Sequence, residues 1–457
     1  MKKLFRIMLC TFMLCGLLSG CAAGGLSNQE EEDTPKEPVT LTLATFSANP
    51  ATLSDLGMSD YDPSVLQMVE LFNETHTDYQ IEVEYYSHSD DLYSDGLSVI
   101  QREIVSGEGP DIIDFGIGYS VVDTVGKYTL DLYSFLDGED YLESVLEAFS
   151  YEGGLYAIPV GFAIDSLVGR TSVVGTQSTW TMEEMIACYE AEAAESGADF
   201  ILLATAKQVL GIILSSTVGD YVDWETGECS FDNEDFQKLL EFAGSFPTSV
   251  AVSGDDSTTQ AYLNGEVFVM PVSLASVYDI AKYEIIFGDE VNFIGYPSAG
   301  TGNTIIDLGG TTALGISVGC DYPEVAWEFV CLYFTEEYQE SLSGALPVSR
   351  SAFETLLESA QTTQYEENAD GTSTPVLQKK VSFAEEGVIG EIYQISSEQA
   401  QQMLELTDRI CSESVYDSTL HYMILEEADA YFSGQKSLEE TVEIIQSRAN
   451  IYVNENR

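Results

Sequence analysis

Three histidines, eight cysteines and 77 carboxylates are the residues of this chain best equipped to cut, transfer or hold a metal. His76, His88 and His421 stand far apart, with no H-E-x-x-H and no Cys/His cluster at zinc spacing. Asp91, Asp95 and Gly96 begin like a calcium loop, but Tyr93 stands where a second oxygen ligand is needed and Arg102 where a bidentate glutamate would close the site. Gly116-Ile117-Gly118 lacks the third glycine and the lysine of a phosphate loop, and no G-x-S-x-G supplies a nucleophile elbow. With so many carboxylates, some pair can always be imagined at glycosidase spacing, so such a pair carries no information. The residues therefore assign no catalytic group, no metal and no cofactor. They do supply 26 Tyr, 21 Phe and 3 Trp, whose ring faces can pack against a ligand.

Covalent chemistry is implied at one place. Lys2, Lys3 and Arg6 precede an apolar run from Ile7 to Leu18, broken only by Thr11 and Gly16, which is a secretory signal. Leu18-Ser19-Gly20-Cys21 resembles a bacterial lipobox. That resemblance implies a diacylglycerol on the Cys21 thiol, which then becomes the mature N-terminus. Residues 1–20 are read as the signal peptide and 21–38, rich in Gly, Ser, Glu and Pro, as a disordered, lipid-anchored tether. The expected location is the outer face of a bacterial cell membrane, in a Gram-positive cell. Beyond Cys10, Cys15 and Cys21 remain Cys188, Cys229, Cys320, Cys331 and Cys411, an odd set without C-x-x-C, so no disulfide framework is expected. Most of them are expected to be small buried residues.

The charge is extreme, 77 acidic against 17 basic residues and a formal −60. Such a field repels nucleic acid and anionic membrane surface, so no nucleic-acid partner is expected. Behind the tether the elements that must position any site read β-α-β-α-β: LTLATF (41–46), a helix from Asp62-Pro63 with Val65, Val69 and Phe72, IEVEYY (81–86), a helix near 91–105, and Ile112-Ile113. Thr181 to Glu184 and Ser437 to Glu440 are capping boxes, Asp232 is expected to cap a helix ending at Gly244, and Pro323 opens another. VFVM (267–270), VNFIGYP (291–297) and TALGISV (312–318) read as strands, and QTTQYEENADGTSTP, within 360–395, as an exposed loop.

Several segments, in order, resemble the extracellular solute-binding proteins of ABC importers, in the family 1 group that includes oligosaccharide binders. They are FNETHTDYQIEVEYY, GEGPDIIDFG, DLYSFLD, YEGGLYAIPVGF, STWTMEEM, AYLNGEVFVM, and YPEVAWEFVCLYFTEEYQESL followed by GALPVSR. Leu167-Val168-Gly169-Arg170 departs from the aromatic pair that family carries there. The resemblance implies an α/β fold of two lobes, each a mostly parallel sheet flanked by helices, with a helical C-terminal portion. It implies a first lobe of 39–157 plus 279–342 and a second of 158–278 plus 343–457, with passages between them at Tyr156–Phe162 and Val272–Tyr278. It also implies a monomer that binds a small solute, a sugar or oligosaccharide, between the lobes and delivers it to ABC permease subunits without turnover. A peptide, a polyamine or another small solute is the alternative on the same fold, and a secreted carbohydrate-active enzyme the alternative from another class.

Ligands favour the carboxyl ends of parallel strands and domain junctions. The expected contacts are therefore Thr45 and Phe46 after the first strand, Phe115 and Tyr119 after the third, and Tyr156 and Phe162 at the first passage. Tyr278 follows the second passage, Gly309 and Gly310 precede a strand, and Trp224 stands in a turn-like segment. Trp180 and Trp327 are expected in cores.

Overall fold

Apolar side chains recur every second residue from Leu41 to Leu43 and from Ile81 to Val83, and every third or fourth from Val65 to Phe72, which is what a half-buried strand and a one-faced helix require. The computed structural model describes residues 38–46, 64–86, 94–116, 128–136, 138, 140–150, 153–224, 226–250, 258–297, 304–308, 311–368, 370–383, 387–410 and 418–456. In chain order the strands are β1 (Val39–Thr45), β2 (Tyr79–Tyr85), β3 (Ile112–Asp114), β4 (Ile158–Pro159), β5 (Gly161–Arg170), β6 (Val222–Asp223), β7 (Glu228–Cys229) and β8 (Met270–Leu274). Then come β9 (Val291–Phe293), β10 (Ile305–Asp307), β11 (Ala313–Ile316) and β12 (Leu346–Pro347). The hairpins β13 (Tyr365–Glu367) with β14 (Ser373–Pro375) and β15 (Lys379–Phe383) with β16 (Gly387–Ile392) follow.

The first sheet runs β2-β1-β3-β11-β4. β1 pairs parallel with β2, Leu41 opposite Ile81, and with β3, Thr45 opposite Asp114; helices Ser64–Thr75 and Ser94–Ser106 make the connections. This is the expected β-α-β-α-β start. β11 runs antiparallel, with Leu314 beside both Asp114 and Ile158.

The second sheet is built on β5, whose partners β8, β9, β10 and β12 all run antiparallel to it. A mostly parallel sheet was expected here. Short apolar runs such as VFVM and VNFIGYP reveal burial but not direction, and each returns to the same long strand instead of advancing by a crossover. The passages are displaced for the same reason. β8 and the helix Asp279–Phe287 stay with the second sheet, because β9 and β10 still pair with β5. The chain leaves the first sheet between Pro159 and Gly161, returns between Asp307 and Ala313, and rejoins β5 at β12. Val272–Tyr278 is therefore not a passage, and the division expected at 278/279 falls inside the second sheet's run.

One core surrounds the first sheet and continues through the passages to β5, β8 and the helix Asp279–Phe287. A second, helical core joins Met182–Ser196, Ala206–Thr217, Glu234–Gly244, Ser418–Phe432 and Leu438–Asn456. Trp180 is buried in it and its Nε1 donates to the Gly295 carbonyl at 3.0 Å, whereas Trp327 is only half-buried, against Phe135. Reciprocal capping boxes form at Thr181 with Glu184 and at Ser437 with Glu440, as expected. Asn233 caps the helix expected from Asp232, accepting from the Phe236 amide at 2.8 Å. Residues 360–395 carry the two hairpins, the first of them where the exposed loop was expected, and β15–β16 is seated by an ion pair between Lys379 and the buried Asp279. Cys188, Cys229, Cys320 and Cys331 are half-buried rather than core. Among the described residues no helix is long and apolar enough to cross a membrane. Cys21, Asp62, Pro63, His88, Asp91, Tyr119, Gly309, Gly310 and Cys411 lie outside the described residues.

Candidate functional site

The ends of β1 and β3 and the start of β11 converge on one buried carboxylate. Asp114 Oδ2 accepts the Thr45 hydroxyl at 2.6 Å, and its Oδ1 accepts the Thr312 hydroxyl and the Gly116 amide, the latter at 3.2 Å. The same amide also reaches Thr312 Oγ1 at 2.8 Å. Burial raises the Asp114 pKa, and the three donors oppose it. Gly116 has φ +65°, so the chain turns sharply there, and its Cα side faces Phe46. Phe46 is half-buried, and its ring lies so close to Gly96 that a side chain there would collide with it.

Five residues upstream of Thr312 the second sheet presents its own acids. Asp165 on β5 and Asp307 on β10 are diagonal neighbours on one face, since Ala163 pairs Asp307 and Asp165 pairs Ile305. Ser273 lies directly opposite Asp165 on β8. The Asp165 pKa is pushed up to about 6, first by burial and then by the charge of Asp307, while the Ser273 hydroxyl lowers it. Its Oδ1 is buried and has no hydrogen-bond partner among the described residues. Asp307 and Ser273 are exposed.

Of the residues expected at the site, Thr45 is fully buried as a ligand of Asp114 rather than of a solute. Phe115 is 2% exposed, with Gly315 against its ring, and Phe162 is wholly buried beside Phe353. Both rings are core. Phe115 packs against Gly315 and Phe162 against Phe353, so each ring is taken up by the core although it stands at a strand end. Phe46, Tyr156 and Tyr278 are half-buried at the margin of the first core. Trp224 is half-buried against the second core, edge-on to Tyr452. Asp114, Thr312, Asp165 and Asp307 were not among the residues expected there. The signal was present, as an acid inside IIDFG and inside FAIDSLV, both otherwise buried strands.

Two cavities lie elsewhere. One of about 1000 Å³ is lined by Tyr133, Tyr141, Glu147 and Arg350, and one of about 520 Å³ by Asn292, Gln402, Glu405 and Arg409. Neither includes Asp114, Thr312, Asp165 or Asp307, although the second touches Val291 at the start of β9 and carries Thr171, Ser178, Glu398 and Asp408 beside it. Among the described residues no three His, Cys, Asp or Glu side chains are grouped to hold a metal. His76 stacks on Phe72, and His421 Nε2 lies 3.0 Å from the Gly211 carbonyl.

The sequence profile of the bacterial extracellular solute-binding protein family matches residues 67–370. No curated protein matches the sequence. Among solved structures, an extracellular solute-binding protein family 1 member from Alicyclobacillus acidocaldarius is similar at 16% identity, covering 92% of this chain and 99% of its own, with a TM-score of 0.56. A periplasmic oligogalacturonide-binding protein from Yersinia enterocolitica is similar at 17% identity, 92% and 100% coverage and TM-score 0.56. The sugar-binding protein MalE from Xanthomonas citri gives 14%, 91% and 98%, and 0.55. Their shared architecture is the two-domain periplasmic-binding-protein fold.

Proposed function

We propose that this chain, which belongs to the bacterial extracellular solute-binding protein family, captures a neutral sugar or oligosaccharide between its two lobes. It hands the solute to the permease subunits of an ABC importer. The supporting observation is the polar junction at the strand ends. Asp114, Thr45 and Thr312 close one lobe's strands, Asp165, Asp307 and Ser273 line the other's, and only the segment 308–311 separates Asp307 from Thr312. The exposed Asp307 and Ser273 can exchange hydrogen bonds with sugar hydroxyls, Asp114 with Thr45 and Thr312 fixes the strand ends of the first lobe, and half-buried Phe46, Tyr156 and Tyr278 offer ring faces to C–H patches. Two acids in the second wall disfavour an anionic uronide by like-charge repulsion. Lipidation at Cys21 would keep the protein at the membrane that holds the permease.

A thermal-shift screen with maltotriose, cellotriose, raffinose and trigalacturonate tests this. A neutral sugar at 100 times its Kd should stabilise by about 2.7 kcal/mol. The sugar should be recovered unchanged, with trigalacturonate inert. Silence from every neutral sugar, or preference for trigalacturonate, refutes the assignment. The Asp165 Oδ1, without a partner among the described residues and beside Asp307, favours one second possibility, a cationic solute such as a polyamine, and spermidine belongs in the same screen.

A further inference from the structure

A buried glutamine sits where the lobes join, and every polar atom of its amide is used. Gln339 is 1% exposed. Its Nε2 donates to the carbonyls of Val160 and Tyr333, both at 2.8 Å, and its Oε1 accepts the Ser349 amide at 3.0 Å. Turning the amide over would set oxygen against two carbonyls, so one orientation is imposed. Val160 lies in the first passage, between β4 and β5, and Ser349 follows β12 of the third. The second passage joins through its backbone, where the Val160 amide donates to the Thr312 carbonyl at 3.0 Å. Thr311 Oγ1 also donates to the Gly161 carbonyl at 3.0 Å. Thr312 then donates its hydroxyl to Asp114, which holds the ends of β1 and β3.

The bonds therefore form one unbroken path from Thr45 through Asp114, Thr312, Val160 and Gln339 to Ser349. It touches all three passages and the strand ends of the first lobe. Buried polar networks of this kind cost desolvation, and each is worth keeping only when fully satisfied. Apolar packing alone would hold the passages together without specifying their mutual register. We propose that Gln339, Thr312 and Asp114 are positioning residues that lock the three passages into one body. The lobes then hinge on a single joint, and the strand ends of the first lobe are fixed relative to it.

Hydrogen exchange on the purified protein without ligand tests this, and so stands or falls apart from the sugar assignment. Thr312→Val removes the hydroxyl bonded to Asp114 and Gly116 but leaves the Thr312 carbonyl. A relay requires amide exchange to quicken about tenfold at Gly116 and also at Val160 and Ser349, which that side chain does not touch. Gln339→Met should reciprocally quicken Gly116. Thr312→Ser, which keeps the hydroxyl, should restore the wild-type pattern. Spin labels on the two lobes should show a broader distance distribution in Thr312→Val and Gln339→Met than in the wild type. The proposal is overturned if each variant quickens only the amides it bonds directly, or lowers the melting temperature while the inter-lobe distances keep their wild-type width. Should Thr312→Val not fold, the Gln339→Met measurement at Gly116 decides alone.

Discussion

Replacing Asp165 with asparagine should stabilise the protein, and by more at pH 7.5 than at pH 5. Burial and the neighbouring charge of Asp307 raise the Asp165 pKa from 3.8 to about 6. Diagonal side chains on adjacent strands lie roughly 7 Å apart. At an effective dielectric of ~40, suited to a half-exposed pair, that repulsion is about 1 kcal/mol, so burial supplies the larger share. An acid whose folded pKa exceeds its unfolded value costs nothing below pH 3.8, where both states are protonated. The cost grows as pH rises and is complete above pH 6. At 1.36 kcal/mol per pH unit the full penalty is on the order of 3 kcal/mol, about half of it present at pH 5. Urea unfolding of Asp165→Asn and wild type at both pH values measures the difference. The variant's advantage should grow by roughly 1–1.5 kcal/mol between pH 5 and pH 7.5, whatever fixed cost the new amide carries. A pH-independent difference would show that Asp165 is ionised without penalty, and the argument from its burial would fail. If Oδ1 is a ligand contact, the same variant binds its sugar more weakly while being more stable, which a purely structural acid would not do.

Phe115→Ala should cost about 3–5 kcal/mol in urea unfolding, because the ring is buried against Gly315. A loss of affinity with unchanged stability would instead return Phe115 to the ligand. Lys379→Met should cost about 2–3 kcal/mol, since among the described residues it leaves the buried Asp279 the Ala275 amide at 3.1 Å as donor and the Lys282 charge at 3.9 Å. Loss of the β15–β16 hairpin's amide protection should accompany it, and unchanged protection would contradict the pinning. Burial lowers the pKa of His421, so its contribution is present above pH 6.5 and is lost as pH falls below that value. His421→Gln should be less acid-sensitive over that interval, and equal acid sensitivity in the two proteins counts against the assignment. Cys21→Ser should leave the membrane fraction, and retention there would end the lipobox interpretation.

Where one periodicity sufficed, the chain could be read directly. The strands at Leu41 and Ile81, the helix carrying Val65 and Phe72, and the capping boxes at Thr181 and Ser437 all lie where spacing placed them. Strand direction was not readable, because an apolar run such as VNFIGYP packs equally well parallel or antiparallel, and the second passage was misplaced as a result. The hairpins of 360–395 escaped because β13 and β14 are polar and exposed on both faces, which leaves no alternation to detect. Phe115 and Phe162 were assigned to the ligand on strand-end position alone. Position along a strand does not decide whether a ring faces solvent, because successive side chains alternate between the two faces.

The residues that matter most at the junction share a different property, which is that each violates its own surroundings. Asp114 ends a run of buried isoleucines, Asp165 interrupts FAI and SLV, and Gln339 is buried beside Tyr338 in a helix whose first turn is acidic and exposed. Burying such a group without partners costs about 1–3 kcal/mol, so a polar residue in a core position demands either a complete set of hydrogen bonds or a use. Asp114 and Gln339 have the complete set, and they bond the passages between the lobes. Asp165 does not, and beside the second passage its Oδ1 has no hydrogen-bond partner among the described residues. On the proposal made above the satisfied pair builds the joint, and Asp165→Asn is the variant that asks whether the remaining acid serves a solute.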